Sequence, residues 1–303
     1  DGHVATGRRR VDRERRMMRR SLLAVTALVA GVLSFTASAE AVVDVKFTAR
    51  HEMRTLMPGV KTVAWTFNHT VPGPLVRVTA GEELRITLHN ADKHHGHALD
   101  FHASEVNPMR VMMDVKSGQT KTFSFTPKRP GVYMYHCGTA PVLEHVGMGM
   151  YGMIIVDPPE PRTPAQEVML VQSEFYGTLK KGVLTPSLKA MLTRQPKYTA
   201  FNGSPFRYLR DPLKVKAGQP VRIYLVNAGP SLGSAFHVVG EIFDAVLPDG
   251  GTVPFGSNVS TAYVPAGGAG IFELTFDEAG TYPVLTHELG VASLGALGRI
   301  VAE

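Results

Sequence analysis

Two stretches of this chain repeat one another, and that repeat limits the possible folds more than any other feature. Val78-Thr-Ala-Gly-Glu-Glu-Leu-Arg-Ile-Thr-Leu-His-Asn90 matches Val215-Lys-Ala-Gly-Gln-Pro-Val-Arg-Ile-Tyr-Leu-Val-Asn227 in length and pattern. Each is followed by a Phe-His pair, Phe101-His102 or Phe236-His237, and then by a Gly-x-Tyr segment, Gly131 to Tyr133 or Gly280 to Tyr282. An ordered repeat of this length predicts two copies of one domain. Short runs rich in Val, Ile, Tyr, Phe and Thr alternate with Gly and Pro, as in Lys61 to Phe67, Leu84 to Leu88, Thr120 to Phe125 and Gly152 to Val156. Such spacing, with no sustained helical period, predicts an all-β chain of two tandem Greek-key β-sandwiches. Prolines in Asp157-Pro-Pro-Glu-Pro-Arg-Thr-Pro164 stiffen a linker and set the expected boundary, giving domains 40–159 and 160–303.

Charge says little about partners once its distribution is considered. The 303 residues carry 32 Lys plus Arg against 26 Asp plus Glu, but residues 1–39 hold eight arginines and three acids. From Glu40 onward 24 basic residues face 23 acidic ones, so no basic face for nucleic acid is implied. The N-terminal segment reads as a secretory leader: Met17 or Met18, then Arg19 and Arg20, an apolar run from Leu22 to Phe35, and the small residues Ala37, Ser38 and Ala39. Cleavage is expected after Ala39, leaving a periplasmic or secreted chain that is not embedded in a membrane. The apolar run is short for a membrane span. Residues 1–16 precede the leader's methionine and are read as a non-native extension. Arg19 and Arg20 loosely resemble a twin-arginine signal.

The single cysteine excludes a disulfide framework, a multi-cysteine zinc site and an iron–sulfur cluster. It also marks the difference between the copies, because only the first contains Cys137, His145 and Met150. With His97 these residues supply two imidazoles, a thiolate and a thioether, the donor set of a blue redox copper. Cys137 and His145 flank one loop, Met150 follows five residues later, and His97 comes from an earlier segment. Met148 is the rival axial ligand, and spacing favours Met150.

A second metal is suggested beside the cysteine. Neighbouring residues on a strand face opposite ways, so a Cys137 that points into its domain turns His136 out of it. His102 and His287 are the available companions, and three neutral histidines with a free fourth position describe a catalytic metal site.

These segments resemble the copper-containing nitrite reductases, which are built from two cupredoxin domains. The resemblance spans residues 42–302. It rests on Trp65-Thr-Phe-Asn with Val71-Pro-Gly-Pro74, His97-Ala-Leu-Asp-Phe-His-Ala103, Gly131-Val-Tyr-Met-Tyr-His-Cys137, Ala140-Pro141, His145, Gly149-Met-Tyr-Gly152, Ser234-Ala-Phe-His-Val-Val-Gly-Glu-Ile-Phe-Asp244 and Gly295-Ala-Leu-Gly298. It implies two coppers per chain, a type 1 copper on His97, Cys137, His145 and Met150, and a type 2 copper on His102, His136 and His287. Electrons would pass from the first to the second through Cys137-His136. Asp100 and His237 would be the acid and base pair, nitrite the substrate, and a small cupredoxin or a cytochrome c the electron donor. The family's homotrimer would place each type 2 copper between subunits, with His287 coming from a neighbouring chain.

Three departures from the family pattern accompany this resemblance. The segment Ser104-Glu-Val-Asn-Pro-Met-Arg-Val-Met-Met-Asp114 stands where the family has small, Gly-rich residues near the substrate, so Met109, Met112 and Met113 are expected to reshape access. Glu144 puts a charge beside His145, and Glu303 closely follows the last expected strand, without the tail that helps lock some family trimers. Two other functions fit the copper ligands in part. A laccase-like multicopper oxidase predicts a His-Cys-His motif, yet Cys137 is followed by Gly138. A non-catalytic electron carrier leaves Asp100, His237 and His287 without a role.

Overall fold

The computed structural model describes residues 42–251 and 253–303. The expected leader and its cleavage site lie outside the described residues. The first half supplies β1 (Val42–Met57), β2 (Val60–Phe67), β3 (Val76–Thr79), β4 (Glu83–Asn90), β5 (Asp100–Phe101), β6 (Thr120–Phe125), β7 (Gly131–His136) and β8 (Tyr151–Asp157). The second half supplies β9 (Gln166–Phe175), β10 (Gly177–Lys180), β11 (Val183–Pro186), β12 (Tyr198–Phe201), β13 (Leu213–Val215), β14 (Pro220–Gly229), β15 (Ser234–Val238), β16 (Ala245–Pro248), β17 (Thr261–Val264), β18 (Ala269–Thr275), β19 (Gly280–Thr286) and β20 (Leu297–Ala302). The few helices described are short, as the absence of a helical period predicted.

The sequence repeat corresponds to a repeat of strand pairing. In the first half β1 runs parallel to β4, which pairs antiparallel with β6. In the second half β9 runs parallel to β14, which pairs antiparallel with β18. The facing sheets correspond too: β3-β8-β7-β5 in one and β13-β20-β19-β15 in the other. Asn90 and Asn227, the last residues of the matching stretches, do the same work. Asn90 Nδ2 donates to the carbonyls of His95 and Val115 at 2.8 and 2.7 Å, and its Oδ1 accepts from Asp92 N–H at 2.9 Å. Asn227 Nδ2 donates to Leu232 and Val264 at 2.9 and 3.0 Å, and its Oδ1 accepts from Gly229 N–H at 3.1 Å. A buried amide that satisfies both a loop and a distant strand fixes how the chain leaves the sheet.

Three apolar layers follow from strand alternation. Tyr133, Tyr135 and Cys137 face the first core with Phe47, Phe67 and Phe101. The residues between them, Val132 and Met134, face a separate layer with Met153, Ile155, Tyr224, Val226 and Ile271. In β14, Ile223 and Leu225 turn to the second core with Phe236, Phe243 and Phe272. β7 and β14 are therefore buried on both faces, which is why they lack a polar alternation. Gly152 is required where Tyr135 lies across β8, because a Cβ there would overlap the phenol ring. Tyr135 OH donates to Pro74 O at 2.6 Å, tying the Val71–Pro74 segment to β7.

One segment beyond the Pro-rich linker returns to the first half. β11 runs parallel to β2, extending the first sheet with β10, and Tyr176 and Met191 join the first core. Met191 packs on Gly147, the last residue of the short helix Val142–Gly147.

Candidate metal centres

Cys137 sits just past the end of β7, and its side chain continues that strand's inward face into the first core. The helix Val142–Gly147 returns His145 to it, with His145 Nδ1 3.1 Å from Cys137 Sγ. His97 forms an isolated bridge to Val115 and brings Nδ1 to 3.8 Å from the same sulfur. The three donor atoms lie within 4.8 Å of one another, and all three residues are buried. The two imidazole rings meet edge to face at 5.1 Å. Met150 is fully buried in the same core. Its N–H donates to His145 O at 3.2 Å and its carbonyl accepts from Cys137 N–H at 3.0 Å, so its backbone is fixed to two members of the trio. Met148 is also buried, but its carbonyl accepts from Trp65 N–H.

The electrostatics suit a metal. Burial above all, then the neighbouring His97 and His95, holds His145 at about 4, and burial also lowers His97. Both are neutral imidazoles at neutral pH, with lone pairs available for coordination. Burial pushes the thiol of Cys137 up, partly offset by hydrogen bonds from Ala98 N–H and Thr139. A thiolate in this place requires a cation beside it, and the donor set fits copper.

The second copy shows how the same place is filled by side chains other than His and Cys. Ser234 stands seven residues after Asn227, as His97 stands seven after Asn90, and Thr286 takes the position of Cys137. Ala235 N–H donates to Thr286 Oγ1 at 3.0 Å, the counterpart of the Ala98 N–H to Cys137 Sγ contact at 3.4 Å. Ser234 Oγ donates to Gln172 Oε1 at 2.7 Å. Hydroxyls satisfied by the protein replace the metal-binding donors.

On the opposite side of β7, His136 shares the outward face of Val132 and Met134. Pairing of β5 with β7 sets Asp100 directly across from His136, and Asp100, His102 and His136 place ligand atoms within 4.8 Å. His136 Nε2 is 3.7 Å from Asp100 Oδ2, and the rings of His102 and His136 meet at 5.2 Å nearly perpendicular. His136 Nδ1 donates to Cys137 O at 2.9 Å, which commits that nitrogen and leaves Nε2 for a ligand. Burial lowers His102, with His136 next to it adding to the effect. His102, His136 and Met134 line a pocket of ≈ 280 Å³ with Val146, Ala228 and Gly267.

His237 and His287 form a separate pair, with rings 5.5 Å apart. The register of β15 against β17 and β19 puts them side by side, and His237 Nδ1 donates to Ser260 O at 2.6 Å. His287 is exposed, and among the described residues neither joins the Asp100, His102 and His136 cluster within one chain.

The Met-rich segment reaches the loop that follows Cys137. Met112 packs on Gly138, where a Cβ would overlap its sulfur, while Met109 at the tip of the helix Pro108–Val111 is 81% exposed. Asp114 accepts from Thr139 Oγ1 at 2.9 Å beside the cysteine. Residues around the first centre that were not among the expected ligands are Asp92, Trp65 and His95. Asp92 Oδ2 is 3.1 Å from His97 Nε2, and Trp65 stands edge-on to His145 at 4.6 Å and lies tilted against His95 at 4.3 Å. The Asn90-x-Asp92 spacing, an Asx-type turn, is the signal that points to the first of these.

Fold and donor set together define a two-domain cupredoxin protein. The multicopper oxidase family pattern matches residues 48–161. A copper-containing nitrite reductase of Neisseria meningitidis serogroup B is 39% identical over 270 residues, covering 86% of this chain and 69% of that protein. The chain belongs to the copper-containing nitrite reductase family. Among solved structures, a copper nitrite reductase from Nitrosomonas europaea matches with a TM-score of 0.81 and 34% identity, covering 87% of this chain and 94% of that one. One from Thermus scotoductus matches at 0.80 and 33%, covering 87% and 62%.

Proposed function

We infer that this chain reduces nitrite to nitric oxide, NO₂⁻ + e⁻ + 2H⁺ → NO + H₂O, with two coppers per chain. The observation that carries this reading is the adjacency of Cys137 and His136, one turned into a buried thiol and imidazole cluster and the other into a solvent-reachable cluster with Asp100 and His102. His97, Cys137, His145 and Met150 would hold type 1 copper. His102 and His136 would hold type 2 copper, completed by His287 of the partner subunit in a homotrimer. Copper at these places supplies a one-electron redox couple and a Lewis-acid position for nitrite. That His237 and His287 stand apart from His102 within one chain supports a shared site.

The protein's own groups then handle protons and access. Asp100 faces His136 from β5 and is half-buried, within reach of a ligand held there. His237 commits Nδ1 to Ser260 O, so Nε2 is the nitrogen free to give or take a proton. The peptide between His136 and Cys137, reinforced by the Nδ1 hydrogen bond, would provide the electron route between coppers held at the two places. Export through the 17–39 leader and a small cupredoxin or cytochrome c donor complete the reading.

Among the described residues no helix is long and apolar enough to cross a membrane. The test is turnover of the copper-loaded protein with nitrite and a reduced dye, set against oxygen and a phenol. Nitric oxide without phenol oxidation is expected. Phenol oxidation without nitric oxide would replace this reading with an oxidase.

A further inference from the structure

We propose a third metal site, for a divalent transition ion, between the first centre and the surface, formed by His51, Asp92 and His95. Their ligand atoms lie within 4.8 Å of one another. β1 pairs with β2 so that His51 sits directly opposite Trp65, and the His95 ring lies tilted against the same indole, centroids 4.3 Å apart. One aromatic ring therefore orients both imidazoles, whose own centroids are 6.3 Å apart. The carboxylate is equally fixed. Asp92 is buried, its Oδ1 accepts from His94 N–H at 2.8 Å, and its Oδ2 lies 3.3 Å from His95 Nδ1. Asn90 holds both ends of this loop through Asp92 N–H and His95 O.

Two imidazoles and one carboxylate with the remaining positions open to solvent is a donor set for zinc or copper(II). An adjoining cleft of ≈ 400 Å³, lined by His51, Asp92, Arg50 and Lys93, leaves room for water ligands. Arg50 and Lys93 offset the charges of Glu52 and Asp92 along this cleft, so the imidazoles rather than net charge choose the ion. Asp92 Oδ2 is also the atom 3.1 Å from His97 Nε2, so an ion here shares a carboxylate with the first centre. The proposal does not depend on nitrite being the substrate.

The test is equilibrium dialysis of the copper-loaded full chain against Zn²⁺, with metal analysis of both elements. Wild type is expected to bind one zinc per chain beyond its copper. His51→Ala, a change at an exposed strand position, is expected to weaken that binding about tenfold or more with copper content unchanged. Equal zinc binding by both proteins, no zinc beyond the copper, or zinc gained only as copper is lost would each overturn the proposal.

Discussion

His136 and Cys137 share a peptide bond and a hydrogen bond, with His136 Nδ1 donating to the Cys137 carbonyl at 2.9 Å, while their side chains leave opposite faces of β7. Strand alternation alone thus places two different donor clusters on either side of one backbone unit.

Met150 is the expected axial ligand, because its backbone is bonded to both Cys137 and His145, whereas Met148 is bonded to Trp65. Replacing Met150 by Leu removes a weak donor that favours the electron-poor state, so the reduction potential rises and the visible spectrum shifts. Met148→Leu leaves both nearly unchanged. Spectroelectrochemistry of the two variants decides between the ligands.

Asp92 predicts a pH-dependent stability difference. Burial alone would raise it, but bonds from His94 N–H, His97 and His95 outweigh burial and hold it at about 2, below its ordinary 3.8. Below pH ~4 the unfolded chain binds the extra proton first, so this stabilisation is complete above that pH and is lost as pH falls towards 2. Metal-free Asp92→Asn is expected to be less stable than wild type by about 2 kcal/mol at neutral pH. That gap narrows below pH ~4 in urea titrations.

Asp100→Asn and His237→Ala remove the two proposed proton-handling groups while keeping every proposed copper ligand. Each is expected to lower kcat about 100-fold or more while copper content stays at two per chain. Steady-state rates paired with metal analysis check this. Loss of copper together with rate would make either residue a structural part of the site.

A type 2 site shared between subunits, as proposed above, predicts complementation. His287→Ala alone and His102→Ala alone are each expected to lack type 2 copper and keep the type 1 spectrum. Mixed trimers made by refolding the two together would contain intact interfaces at about a quarter of positions, restoring about a quarter of the activity. A site contained within one chain restores none.

Much of this architecture was legible in the sequence because its signals are local. The matching stretches ending at Asn90 and Asn227 predicted the duplicated sheets, and the expected runs at 61–67, 84–88, 120–125 and 152–156 lie within β2, β4, β6 and β8. His97, Cys137 and His145 converge as their order suggested. What was hidden depends on register and on contacts between distant segments. His51 meets His95 only because β1 pairs with β2 opposite Trp65. The return of β10, β11 and Met191 to the first half crosses the Pro-rich linker, which looked like a division. The Gly-x-Tyr repeat already aligned Thr286 with Cys137, but that both side chains accept from the matching Ala98 and Ala235 N–H groups became apparent only from the structure.

The most direct measurement is an anaerobic stopped-flow experiment in which the copper-loaded protein is fully reduced, mixed with nitrite, and followed by its visible band and a nitric oxide electrode. The account predicts that the band returns as nitric oxide is released in wild type, and that His287→Ala, with its type 1 spectrum intact, stays bleached. Return of the band at the same rate in His287→Ala, or no nitric oxide from wild type, would contradict it.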